Sequence, residues 1–259
     1  MRVAVLGLGE AGRHYAADLV AAGWAVTGYD PAAAATPDGV RRAGAAAEAV
    51  AGADLVLSLT GARAAVPAAA EAAAGLPARA CYADLNTGSA RLKEQVAEAV
   101  RPSGAMVADV AVLAPVPRAG ARTPLLASGP GAARVAELLG GLGAAVEVLT
   151  EPVGVAATRK LLRAEFMKGL AAVVLETVAA GAAAGCPDWV RGQIAGELGP
   201  GGAALVDRLI TGSALHAVRR VDEMEAVRGQ LAELGVRADV CEATLTWLRA
   251  LAAGEPPPG

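Results

Sequence analysis

A strand that runs straight into a glycine loop leaves a chain few folds to choose from, and this chain opens on one: "RVAVL" leads directly into Gly7-Leu8-Gly9-Glu10-Ala11-Gly12, followed by an alanine-rich stretch. Four apolar residues after Arg2 predict a strand, and the residues after the loop predict a helix. Glycine is abundant, 32 of 259 residues, so chance alone would give roughly 0.5 GxGxxG matches in such a chain, and context has to decide. The context is a strand before the loop, a helix after it, and Asp30 closing the next strand in "AVTGYD", 18 residues beyond Gly12. That is the pattern of a dinucleotide-binding βαβ unit. Gly7 makes the tight turn, Gly9 lets backbone approach a pyrophosphate, and Gly12 lets helix pack on strand, while the free N–H groups of the helix start face the phosphates. Leu8, Glu10 and Ala11 complete the loop. Asp30 is expected to accept hydrogen bonds from adenosine ribose hydroxyls and to repel a 2′-phosphate. With Pro31 and Ala32 next, NAD is favoured over NADP, and Arg41 and Arg42 keep NADP open.

The rest of the first half keeps the same rhythm. Strands are expected at Arg2 to Leu6, Ala25 to Tyr29, Asp54 to Leu59, Ala80 to Asp84, Ala105 to Val110, Pro124 to Ala127 and Ala145 to Leu149. Helices are expected near Ala11 to Ala22, Ala62 to Ala73, Ala90 to Val100 and Gly131 to Leu139. Such alternation predicts an α/β fold with a doubly wound parallel sheet. After Gly154 the rhythm gives way to helix alone, broken at Gly185/Pro187, Gly199 to Gly202 and Gly235. We therefore expect a Rossmann domain over 1–153, an all-helical domain over 154–252 joined by a long interdomain helix, and a mobile tail over 253–259. From Gly169 that long helix is apolar on every face, so it needs cover all round, between domains and against a second subunit.

Composition excludes several classes. Hydrophobic residues make up 54% and charged residues 19%, which suits a globular core rather than disorder. A net charge of −3 with no Lys/Arg block argues against nucleic acid and anionic membrane surfaces as partners. Three widely spaced cysteines, Cys81, Cys186 and Cys241, point to free thiols in a reducing cytoplasm with no metal cluster. The one apolar run of membrane-spanning length, Gly169 to Pro187, has Glu176 near its centre, at a cost of about 2.5 to 3.5 kcal/mol in a bilayer. We read it as a buried helix.

Taken together, GLGEAG, "ADLVLSLT" (53–60), "YADLNTGS" (82–89), and Gly154 and Lys160 at the start of the long helix resemble the β-hydroxyacid dehydrogenase superfamily. That group holds 3-hydroxyisobutyrate dehydrogenases, 6-phosphogluconate dehydrogenase and imine reductases. The segments "KLLRAEFMKGLAAVVLE" and "HAVRRVDEMEAVRGQLAELG" are similar to the phosphogluconate-dehydrogenase-like C-terminal domain. The resemblance implies hydride transfer between a nicotinamide and a small alcohol/ketone or amine/imine substrate, with Lys160 as the proton relay. An apolar site and the neighbouring Arg159 and Arg163 would disfavour the charged lysine.

It also implies that Asn86 and Thr87 meet the nicotinamide and substrate, with Thr60 and Gly61 on the preceding loop, although "NTGS" would form a turn and helix cap regardless. Three departures stand out. The family's asparagine four residues after the lysine is Ala164, for which Lys168 is the candidate replacement. The Ser-Gly-Gly stretch that holds a substrate carboxylate is "VLAPVPRAG" (112–120), against a simple 3-hydroxy acid. Glu165 and His216 have no clear counterpart; His216 is a candidate substrate contact or proton donor, weighed against a structural, hydrogen-bonded histidine. A homodimer is expected.

Overall fold

A computed structural model describes residues 1–255. The chain divides into two compact units, Met1–Lys160 and Leu161–Gly259. The first is an eight-stranded sheet with β1 at Arg2–Leu6, β2 Ala25–Tyr29, β3 Arg41–Arg42, β4 Leu55–Ser58, β5 Cys81–Asp84, β6 Met106–Val112, β7 Leu125–Ser128 and β8 Val146–Val148. Five helices pack on it: α1 Glu10–Ala21, α2 Ala46–Val50, α3 Ala62–Ala73, α4 Ala90–Val100 and α5 Ala132–Gly140. The order is β3-β2-β1-β4-β5-β6-β7-β8, the α/β doubly wound arrangement expected from the alternation of strand and helix. Short β3 and α2 escape the sequence reading because two and five residues carry no usable period.

Successive strand residues face opposite sides, and the core divides accordingly. Val3, Val5, Leu55 and Leu57 join Tyr15 and Leu19 of α1 and Val135 and Leu139 of α5. Ala4, Leu6, Val56 and Tyr82 join Ala49 of α2, Ala69 of α3 and Val96 of α4. One pairing departs from the expected parallel sheet: β7 runs antiparallel to β6, Asp109 opposite Ser128 and Val112 opposite Leu125. The connection between them is two 3-10 turns, Val116–Arg118 and Gly120–Arg122, with no crossover helix, so the chain returns alongside β6.

The helix α6 is continuous over Val155–Ala183 and from Leu161 onward is the first helix of the second unit. It is followed by α7 Pro187–Glu197, α8 Gly202–Leu215, α9 Ala217–Glu233 and α10 Asp239–Ala252. The breaks at Gly185, Gly199 to Gly202 and Gly235 were legible. The break between α8 and α9 was not: only His216 leaves helical geometry, at φ −120° and ψ 23°, with neither Gly nor Pro to announce it.

Val174, Leu175 and Val178 of α6 pack with Val206, Leu209 and Ile210 of α8. Leu161 and Ala164 pack with Met224 and Leu231 of α9 and with Cys241 and Leu245 of α10. Among the described residues the cover of α6 is incomplete, with Leu162, Phe166 and Val173 exposed at 46%, 67% and 60%. Among the described residues α6 is the one helix long and apolar enough to cross a membrane by length and composition. Its Glu176 accepts a hydrogen bond from Trp247 Nε1 at 3.3 Å. Of the expected tail, Ala253 caps α10 and residues 256–259 lie outside the described residues.

Candidate functional site

The glycine loop does what its spacing requires. Gly7 sits at φ +90°, and a Cβ there would lie 2.4 Å from the Leu59 carbonyl oxygen. A Cβ on Gly12 would lie 1.9 Å from the Gly7 carbonyl oxygen, so both are glycines for packing reasons internal to the protein. Gly9 differs: a Cβ there would meet nothing within 4 Å. It is the N-cap residue of α1, with no side-chain cap, so open space lies in front of the helix-start amides that hold a pyrophosphate in such folds. The residues present therefore fit a dinucleotide.

Leu8 turns its side chain into the core at 2% exposure, and its N–H donates to Asp30 Oδ2 at 2.7 Å. Ala32 N–H donates to Asp30 Oδ1 at 2.8 Å. Asp30 thus braces the glycine loop against the end of β2, and each oxygen keeps a lone pair for a ribose hydroxyl. Glu10 is exposed in the first turn of α1 and Ala11 follows it half-buried. Arg41 pairs with Glu48 at 2.9 Å. Arg42 donates to the Ala33 and Ala34 carbonyls at 2.8 and 3.1 Å, and Arg13 to that of Ala35.

At the ends of β4 and β5 a second cluster forms. Asn86 is 5% exposed. Its Oδ1 accepts from Gly61 N–H at 2.6 Å, and its Nδ2 donates to Ser58 Oγ at 3.1 Å and to Asp84 Oδ1. Both amide protons are committed, so Asn86 holds the Thr60–Gly61 loop to the end of β5. Gly61 lies at φ +89° with nothing within 4 Å of a built Cβ, a second open stretch of backbone, and the Thr60 hydroxyl donates weakly to the Gly61 carbonyl at 3.4 Å. Thr87 follows Asn86, and its Oγ1 accepts from Lys160 Nζ at 2.7 Å. Lys160, Thr87, Asn86, Gly61 and Thr60 therefore form one connected group within the first unit.

The other two candidates belong to the second unit. Lys168 pairs with Glu223 at 3.1 Å, their side chains 15% and 16% exposed. Burial pushes the Lys168 amine below its usual value, against the pull of Glu223. Arg220 beside it, lowered for the same first reason, donates to Ser213 Oγ at 2.7 Å. The space lined by Lys168, Ser213, Arg220, Thr244 and Trp247 has no room for a water molecule. Lys168 is thus engaged by Glu223 in a packed helical core. Ala164, at 3% exposure, packs in that core beside Leu161 and Met224, where an asparagine amide would be among apolar side chains. His216 lies half-buried at the α8–α9 junction, its carbonyl accepting from Arg220 N–H at 3.0 Å.

Sequence reasoning missed the group beneath Lys160. Lys93 is 1% exposed and its ammonium lies 2.9 Å from Asp84 Oδ2 and 3.3 Å from Asp109 Oδ1. A signal existed: Lys93 shares the buried face of α4 with Val96 and Val100, an i, i+3, i+7 pattern that places a lysine on the apolar side of an amphipathic helix.

The sheet order, the glycine loop with open space at Gly9 and the acid at the end of β2 define a nicotinamide dinucleotide-binding Rossmann protein. Residues 2–150 match the NAD binding domain of 6-phosphogluconate dehydrogenase, and residues 182–251 match a domain of unknown function (DUF1932). The chain belongs to the first of these families, within the β-hydroxyacid dehydrogenase superfamily, and its first unit is a nicotinamide dinucleotide-binding domain. No curated protein sequence matches it.

Among solved structures it is similar to a conserved hypothetical protein from Sinorhizobium meliloti 1021, at 27% identity and TM-score 0.80, covering 98% of this chain and 90% of that one. A 3-hydroxyisobutyrate dehydrogenase of Mycobacterium tuberculosis has 22% identity and TM-score 0.80, with 99% and 95% covered. An imine reductase from Myxococcus stipitatus in complex with NADP+ has 20% identity and TM-score 0.66, with 99% and 96% covered.

Proposed function

We propose that the protein transfers hydride between a nicotinamide cofactor and a small alcohol/ketone or amine/imine substrate, with Lys160 as the proton relay. The observation that carries this reading is the 2.7 Å contact of Lys160 Nζ with Thr87 Oγ1, beyond the carboxyl ends of the parallel strands, where ligands of open α/β sheets bind. The bound cofactor supplies or accepts the hydride. Lys160 Nζ gives a proton to the substrate oxygen or nitrogen on reduction and takes it back on oxidation. Thr87 holds the amine in place, and Asn86, its amide protons spent, positions the Gly61 loop. The ribose hydroxyls fall to Asp30, which favours NAD. The cofactor phosphates fall to the amides of the 7–12 loop, whose side chains at Leu8, Glu10 and Ala11 are not needed for contact. The Gly61 backbone lies toward the nicotinamide side.

The family's Ser-Gly-Gly carboxylate stretch is replaced here by "VLAPVPRAG" (112–120), of which Leu113 packs against the cluster of Ala111, Leu126, Leu149 and Ala156. Loss of that stretch argues against a simple 3-hydroxy acid. Imine reduction, as in a tailoring step on a specialised metabolite, is the reading this loop favours second. A cofactor-binding protein without turnover is the alternative of a different class. The exposed Leu162, Phe166 and Val173 of α6 support a homodimer, and free Cys81, Cys186 and Cys241 fit a reducing, cytoplasmic setting.

NADH or NADPH is expected to raise the melting temperature. Lys160→Ala is expected to keep that shift and to lower turnover by about 10²- to 10⁴-fold, the usual worth of a general acid/base. Cyclic imines assayed beside 3-hydroxy acids separate the substrate classes. Absence of any cofactor-induced shift at millimolar concentration defeats the reading.

A further inference from the structure

Three buried charges lie under the proposed relay. Lys93, Asp84 and Asp109 have side chains exposed by 1%, 1% and 0%, and ions taken so far from water persist only where partners surround them. The ammonium of Lys93 is bound by Asp84 Oδ2 and Asp109 Oδ1, and donates to the Asp84 carbonyl at 2.8 Å. From there the network runs two ways. Asp84 Oδ1 accepts from the side-chain amide of Asn86 and from Asn86 N–H at 3.3 Å, and so holds the turn that presents Thr87.

Asp109 Oδ2 accepts from Gly154 N–H at 3.1 Å and Ala157 N–H at 2.9 Å, with Ser128 Oγ donating to it at 3.4 Å. Ser128 Oγ in turn accepts from Ala156 N–H at 3.1 Å. The start of α6, which carries Lys160 one turn on, is therefore capped by side chains of β6 and β7 and not by a residue of its own. Two carboxylates against one ammonium leave an excess negative charge, and the positive end of the 29-residue α6 offsets it. Packing adds to the fit: Gly154 stands at φ +100°, and a Cβ there would lie 3.0 Å from that of Ala90, the first residue of α4.

We propose that Lys93 is a positioning residue that fixes Thr87 and Lys160 against each other by joining their two supports, Asp84 and Asp109, into one ion cluster. Its bearing on turnover rests on Lys160 being the proton relay. Its geometry does not.

The test uses the full chain and needs no substrate. Amide hydrogen exchange at residues 154–157, and the rate of Lys160 acylation by acetic anhydride as a function of pH, are followed by mass spectrometry in the wild type, Lys93→Met and Asp109→Asn. Lys93→Met strands two carboxylates and can fail to fold. Asp109→Asn leaves Lys93 and Asp84 as a neutral pair, and so keeps the test open. Loss of the cap is expected to speed exchange at 154–157 by about tenfold and to shift the pH profile of Lys160 acylation. Val135→Ala, which loosens the opposite face of the sheet, is expected to leave both unchanged.

The proposal is overturned if folded Asp109→Asn exchanges at the wild-type rate over 154–157, or if Lys160 acylation keeps the wild-type profile in it. A wild-type chain that shows these responses but no cofactor-induced rise in melting temperature would sink the functional reading and leave the ion cluster standing.

Discussion

The three glycines of the loop look equivalent in the sequence and are not equivalent in the fold. Gly12→Ala would set a methyl 1.9 Å from the Gly7 carbonyl oxygen, so it is expected to cost about 1–3 kcal/mol of stability, as overpacking does, in denaturant unfolding. Gly9→Ala meets nothing. It is expected to leave the unfolding midpoint within error and to weaken NADH binding by about tenfold, equivalent to 1.4 kcal/mol, because the methyl enters the space kept for the pyrophosphate. A Gly9→Ala variant that binds NADH as the wild type does would contradict that assignment. The roles of Gly7 and Gly12 were legible because each follows from local spacing, whereas the bond from Leu8 N–H to Asp30 was not. The role of Asn86 was not: its carboxamide is consumed by Ser58, Asp84 and Gly61, partners that only the pairing of β4 with β5 brings near.

At the scale of elements, α6 carries two lysines with different partners. Lys160 and Lys168, two turns apart, lie about 80° apart around the helix axis. Lys160 turns to Thr87 and Lys168 to Glu223. Between them Glu165 faces Cys241, with its Oε2 buried and without a hydrogen-bond partner. Burial holds this carboxyl above its usual range, against the Cys241 thiol that favours its charged form, and the thiol itself is pushed up to about 12 by burial.

A raised carboxyl binds its proton more tightly folded than unfolded, so its contribution to stability is present below the unfolded value near 4.5 and falls away as pH rises through the folded one. Glu165→Gln should remove that slope. It is expected to be more stable than the wild type at pH 7 and to show no such gain at pH 4. Thermal melts of the two proteins at both pH values decide it.

For the molecule as a whole, α6 leaves Leu162, Phe166 and Val173 in the open, spaced at 4 and 7 residues along one side. Nothing among the described residues covers them. A second copy is the partner proposed here, so the wild type should run in light scattering at twice the mass of one 25.5 kDa chain, and Phe166→Glu should shift it toward a single chain. A wild-type mass equal to one chain removes the dimer. The variant is expected to retain its unfolding midpoint at low concentration, because a residue 67% exposed contributes little to the core of its own chain.

The sequence by itself determined the strand-loop-helix start, the alternation that makes a doubly wound sheet, and the change to helix after Gly154, because hydrophobic period and glycine punctuation are local properties. The tertiary structure alone decided the partners. It turned β7 antiparallel, gave Lys168 to Glu223, 55 residues away, and drew Lys93 under the sheet to Asp84 and Asp109. A charged side chain does not reveal its partner in a sequence. The choice follows from which groups are desolvated together, and that is fixed only when the elements pack.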